Sequence, residues 1–271
     1  PKCLSFFPLD NSVSNKIPNP VNTQEYKIGP WLVKTAQNHI LNSVGRDREL
    51  FESSLKLPST PEMIWADNRV VISLNDGEHK STFEFNALDA LKKVDTERVF
   101  FKIPAAEEWM NSKNGEFSSA KPYDWTFSTT YDGTLTGNWT SEPTDEGLDQ
   151  VFIRSHDPIL LYGSIDLFED ELGDNGIALL NVKIRVMSSG FFILQRFFLR
   201  IDGSLLRVWD TRLQWRLGDE YILREVKRMD SEKWLPSMVG IDSNDASSYC
   251  TCIVEHRFEK LYPGTHLNKP L

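Results

Sequence analysis

Cysteine is scarce in this chain: Cys3, Cys250 and Cys252 are the only ones among 271 residues. An odd count with no disulfide framework fits a reducing compartment. Cys250 and Cys252 form a C-x-C pair without a second pair to complete a four-ligand zinc site, so they read as core thiols. Histidine is as sparse. His39, His79, His156, His256 and His266 are scattered, and neither H-x-x-x-H nor H-E-x-x-H spacing occurs. The G-x-S-x-G nucleophile turn is missing, as are the glycine-rich loops that cradle nucleotide phosphates. No run approaches the roughly 20 apolar residues of a membrane span. Positive charge is also short. The formal net charge of −9 argues against nucleic acid, whose phosphates demand a basic footprint. Asn138-Trp139-Thr140 matches a glycosylation sequon, but nothing resembles a secretory signal. The expectation is therefore a protein of the cytosol, with access to the nucleus, and with no cofactor, membrane or nucleic-acid partner.

What is present is apolar and aromatic. With 40% hydrophobic residues, eight tryptophans and sixteen phenylalanines, the chain can build a sizeable core. Residues 1–25 are rich in Asn, Pro and Ser without apolar period and read as a flexible lead-in to one domain over 26–271. Ile28-Gly29-Pro30-Trp31 sets a turn. A helix is expected over 46–55, stopped by Pro58 and Pro61. Residues 70–74 and 82–85 flank Asn75-Asp76-Gly77 as a hairpin. Asn86 then stands where an N-cap belongs, ahead of a helix over 87–94 with Asp89 in its first turn.

A strand over 99–103, a helix over 105–110 and a half-buried strand over 123–130 follow, with Thr134 to Trp139 returning alongside. Residues 140–158 read as a long polar loop, and 165–172 as a short helix. Three strands over 177–187, 191–201 and 204–213 are joined by turns so short that they must be antiparallel neighbours. Residues 221–226 add a strand, and the apolar spacing from 246 to 261 suggests an amphipathic closing helix. The expected class is α+β and β-dominated: antiparallel, sandwich-like sheets with short helices packed on them.

Chemistry has few places to reside. Glu107-Glu108 diverge by about 100° on a helix, so they read as surface or capping acids. Glu169, Asp170 and Asp174 could hold a divalent metal and support a metal-dependent hydrolase, the alternative reading. Trp65, Trp209 and Trp215 lie beside charges or at strand ends, where rings can line a peptide groove.

Several stretches together resemble the TIPRL, or TIP-forty-one-like, family of TOR-signalling regulators. They include Ile28-Gly29-Pro30-Trp31, Pro61-Glu62-Met63-Ile64, Phe85-Asn86-Ala87-Leu88-Asp89-Ala90-Leu91 and Ala106-Glu107-Glu108-Trp109. Lys121-Pro122-Tyr123-Asp124-Trp125-Thr126, Phe168-Glu169-Asp170-Glu171-Leu172, Asp210-Thr211-Arg212 and Leu223-Arg224-Glu225 continue the series in family order. The likeness spans roughly residues 28–226. It implies a non-enzymatic regulator that binds the catalytic subunits of type 2A, 4 and 6 protein phosphatases, or the alpha-four-type adaptor. The family's binding cleft maps to Asp89 and Asp210 as acids and Val208 as an apolar wall where the family often has methionine. Leu148, in the variable loop, completes the set. If both acids are free to meet a partner, neutralising either leaves the melting temperature nearly unchanged. Asp89 keeps a second reading, as a helix-capping acid.

Overall fold

The computed structural model describes residues 22–57, 59–75, 80–94, 127–231 and 253–264, with the single positions 108, 111, 243 and 244. The described residues begin with a hairpin, β1 (Asn22–Ile28) and β2 (Trp31–Gln37), turning at Gly29-Pro30. Residues 22–25, read as the end of the lead-in, are thus strand. Helix α1 (Arg46–Ser53) is held down by Arg48, which donates to Glu52 at 2.6 Å and to the Pro61 carbonyl at 2.9 Å. β3 (Met63–Ile64), β4 (Arg69–Asn75) and β5 (Lys80–Asn86) follow, then α2 (Ala87–Lys92) directly after the Asn86 cap. β6 (Thr134–Thr136), β7 (Trp139–Thr144) and a helical turn, α3 (Gln150–Ile153), lead into five long strands. These are β8 (Ile159–Asp170), β9 (Gly176–Met187), β10 (Gly190–Ile201), β11 (Leu205–Arg216) and β12 (Ile222–Ser231). β13 (Ile253–Pro263) is the last described element.

The strands form two antiparallel sheets. One runs β1-β2-β4-β5-β6 and the other β3-β8-β9-β10-β11-β12-β13-β7. Alternation along each strand sends one set of side chains to each face. Val33, Ile72, Phe83 and Phe85 of the smaller sheet meet Leu180, Val182, Ile184, Ile193 and Phe197 of the larger in one core. Trp31 joins the two. Its ring centroid lies 6.0 Å from Trp139, 6.4 Å from Phe191 and 6.4 Å from Trp215. The β1–β2 turn approaches this cluster closely. Gly29 has φ +55°, and a Cβ there would stand 2.6 Å from the Trp215 ring.

Two expected helices are strands. Ile165, Phe168 and Leu172 sit at helical spacing, but the β8–β9 register shifts between Asp166 and Phe168. That irregularity lets Leu167 and Phe168 both be buried, which imitates a helical period. Only Leu172–Asp174 is helical, as a short 3-10 turn. Residues 253–261 belong to β13, paired with β12 on one side and β7 on the other. The alternation of Glu255, Arg257, Glu259 and Leu261 was the period-two signal, masked by the apolar positions between and before them. The long loop expected over 140–158 contains most of β7 and all of α3. The strand and helix expected over 99–103 and 105–110, most of the strand over 123–130, and all three cysteines lie outside the described residues.

The aromatic junction generates two expectations. Trp31→Ala loses about 3–5 kcal/mol by opening a cavity between the sheets. Gly29→Ala costs at least about 1–2 kcal/mol from its positive φ, with the contact to Trp215 added. Urea unfolding curves measure both, and a change near zero for Trp31→Ala would show that the sheets are held together elsewhere.

Candidate binding face

The face of the larger sheet turned away from the shared core carries the distinctive side chains. Along β11, Leu205, Leu213 and Trp215 point into the core, so Leu206, Val208, Asp210, Arg212 and Gln214 point the other way. The first part of this outer face is apolar. Phe198, Leu206, Val208 and Met229 form a buried cluster, with Ile177 and Leu179 against it. The next part is ionic.

Arg196 on β10 is the register partner of Asp210 on β11. Its Nε and Nη2 donate to the two Asp210 carboxylate oxygens, each at 2.7 Å. Arg212 Nη2 donates to Asp210 Oδ2 at 2.9 Å, and Arg212 Nη1 to Glu225 Oε2 at 3.0 Å. Glu225 is the register partner of Arg212 on β12. Its other oxygen lies 2.7 Å from His256 Nε2 on β13. A chain of charge thus crosses four strands. Arg196 also donates to the Ser243 carbonyl. The acids are the hidden members: side-chain exposure is 0% for Asp210 and 7% for Glu225, against 25% for Arg212 and 39% for His256.

Val208 and Asp210 therefore share one face, but neither is open to solvent as a cleft residue would be, since Val208 is 0% and Asp210 1% exposed. Leu148 is half-buried beside the same face. Its neighbour Asp149 donates its backbone N–H to Gln214 at 2.9 Å, and the Asp149 carboxylate accepts from Val151 and Phe152 at the start of α3. Asp149 is held below the usual carboxylate range, chiefly by the backbone N–H of Phe152.

Asp89 lies on α2, directly after β5 of the other sheet. Asn86 Oδ1 accepts from the Asp89 N–H at 2.8 Å, while Asn86 Nδ2 donates back to the Asp89 carboxylate at 3.0 Å. Asn86 is thus the N-cap of α2 and its side-chain amide also holds the Asp89 carboxylate, while the Asn86 backbone N–H goes to the Tyr131 hydroxyl at 3.2 Å. Thr134 adds a third bond, donating to Asp89 at 2.7 Å. The capping reading of Asp89 is thus what its contacts display.

The acidic run offers no shared target. Glu169 and Asp170 are successive strand residues and point to opposite faces. Asp170 accepts from the backbone N–H groups of Glu62 at 2.9 Å and Leu172 at 2.7 Å, tying the entry of β3 to the end of β8. Burial pushes its carboxyl up to about 6. Among the described residues no group of three His, Cys, Asp or Glu side chains is placed to hold a metal ion. The expected aromatic groove also changes character. Trp215 is buried in the core. Trp209 packs on Phe197, with the Arg207 and Arg228 guanidinium groups each 5.0 Å from its ring centroid.

Residues 63–234 match the model of the TIP41-like family. The TIP41-like proteins of Rattus norvegicus and Homo sapiens are each 40% identical to this chain over 238 residues, covering 83% of it and 85% of their own length. The chain belongs to the TIP41-like family. A protein of Saccharomyces cerevisiae named Type 2A phosphatase activator TIP41 is 36% identical over 227 residues, 76% of this chain and 62% of its own. In this TIP41-like chain the matched region contains Asp89, Leu148, Val208, Asp210 and most of the ionic chain, with His256 beyond it. Arg196, Arg212, Glu225 and His256 were not named as binding residues from sequence. The signal for Arg196 was available, because the short turn at Asp202-Gly203 fixes the hairpin register that sets it opposite Asp210.

The burial of Asp210 reverses the expectation that neutralising it is harmless. Asp210→Asn removes the fully buried carboxylate that accepts from both Arg196 and Arg212 and lowers unfolding free energy by about 3–5 kcal/mol. Asp89→Leu removes one side of a partly exposed cap and costs about 1–2 kcal/mol. Thermal or urea denaturation ranks the two, and equal small losses would place Asp210 outside the stabilising network. Asp170 adds a pH dependence. Its folded-state value is raised from 3.8 to about 6, so the folded state holds the proton more tightly than the unfolded chain. The contribution of Asp170 is therefore full below about pH 4 and is lost as pH rises through about 6. Unfolding measured across that window should show a smaller slope in Asp170→Asn than in wild type.

Proposed function

We propose that this TIP41-like chain regulates a type 2A protein phosphatase by binding its catalytic subunit, and that it acts by contact and not by chemistry of its own. The outer face of β9–β13 is the binding face. One observation carries this reading: β10, β11, β12 and β13 carry a register-locked row of paired polar and charged groups beside a buried apolar cluster, with Arg212 and His256 its most exposed members. Such a surface is already ordered before a partner arrives, which reduces the entropy lost on binding. The names of the related proteins of Saccharomyces cerevisiae and Schizosaccharomyces pombe, both called type 2A phosphatase activators, support the same choice of partner.

The reading extends in three directions. The type 4 and type 6 catalytic subunits are further partners, and the alpha-four-type adaptor is an indirect one. The setting is TOR signalling, and the place is the cytosol with access to the nucleus. Each is a proposal drawn from the family resemblance.

The test is direct binding of the purified chain to purified type 2A catalytic subunit, followed by sedimentation velocity, with phosphopeptide hydrolysis assayed in parallel. A co-sedimenting complex with altered hydrolysis is the expected result. Two independent species in the centrifuge, or phosphoester hydrolysis by the chain alone, would overturn the proposal.

A further inference from the structure

We infer that Arg212, flanked by the His256 imidazole, forms a cationic contact point for a carboxylate-bearing segment of the partner, and that Asp210 and Glu225 are positioning residues that hold it ready. The inference rests on the phosphatase-binding reading and names the groups that make the contact.

Exposure decides the sign of the surface. Beyond the Arg196–Asp210 pair, in which both partners are buried, the acid is the more buried partner and the base the more exposed one: 0% and 7% for Asp210 and Glu225, 25% and 39% for Arg212 and His256. A molecule approaching this spot meets positive charge, although the chain as a whole carries −9. Lys227, on the same face and in register with both Asp210 and His256, adds to it. Local charge of this sign attracts an acidic segment and repels a basic one.

Geometry decides the ligand group. A guanidinium offers five N–H donors, and the two described bonds of Arg212 go to Glu225 and Asp210. The Nε–H and one N–H on each terminal nitrogen remain, in the guanidinium plane, to donate to a carboxylate. The long arginine side chain is otherwise mobile, but two acids fix its plane. His256 is fixed likewise, by Glu225 on one side and by Phe258, whose ring centroid is 4.8 Å away. The two acids therefore act through Arg212 and His256, without needing contact with the partner themselves.

Binding kinetics between the purified chain and the type 2A catalytic subunit, measured from low to high salt, test these roles. Arg212→Gln leaves Asp210 paired with Arg196 and Glu225 beside His256, so the fold survives. Its affinity should fall about tenfold with a shallower salt dependence. Arg212→Lys keeps the charge but not the fork, and should restore the salt dependence while recovering only part of the affinity. Glu225→Gln leaves Arg212 and its charge in place and loosens it, so dissociation should be about tenfold faster with association undiminished. A purely structural role would move melting temperatures and leave these rates and salt slopes alone. If wild type binds and all three variants match its rates and salt dependence, the inference fails while the phosphatase reading stands. If wild type does not bind, the phosphatase reading fails and takes this inference with it.

Discussion

The wedge of Trp31 between Trp139, Phe191 and Trp215 is the contact on which the architecture depends. Two sheets of unequal size can share one core only if each commits a single face to it. Once Trp31 and its neighbours fix that commitment, strand alternation leaves no choice about the other face. Phe197 goes inward and Phe198 outward; Leu213 goes inward and Arg212 outward. The outer face is in this sense a by-product of the core. Its position follows from which residues the aromatic junction has already claimed.

How much of this was legible depends on the range of the interaction concerned. The Asn86 cap with Asp89, and the hairpins from β9 to β11, are local, and the turn residues specify them. The same turns set Arg196 against Asp210. β8 and β13 were misread for a different reason. Each lies beside irregular register, between Asp166 and Phe168 in one and between Arg228 and Met229 in their neighbour in the other. A bulge breaks the alternation that marks a strand, and scattered apolar residues then pass for a helical stripe. The depth of Asp210 was illegible for a third reason. Burial of one residue depends on cover from distant parts of the chain, which no local pattern reports. A flanking sequence of Val208-Trp209-Asp210-Thr211-Arg212 suits an exposed acid as well as a hidden one.

The character of the outer face raises the question why it changes from apolar to ionic between Val208 and Asp210. Phe198, Leu206, Val208 and Met229 show that apolar side chains pack there without difficulty. Paired charges at the same depth give up hydration that their mutual attraction only partly restores, so stability alone would favour continuing the apolar cluster. Specificity favours the charges. Adjacent β10 and β11 are both twelve residues long, and an apolar face tolerates a slip by two residues because like still meets like. With the charges in place, such a slip sets Arg196 opposite either Val208 or Arg212 in place of Asp210. One outcome strands a buried cation and the other presses two cations together, each far worse than the native register. The row of charges therefore fixes the alignment of β10 against β11, and through Arg212 and Glu225 that of β11 against β12. Because alignment and guanidinium orientation are set by the same hydrogen bonds, a strand pair in the correct register has its outward-facing cations already aimed.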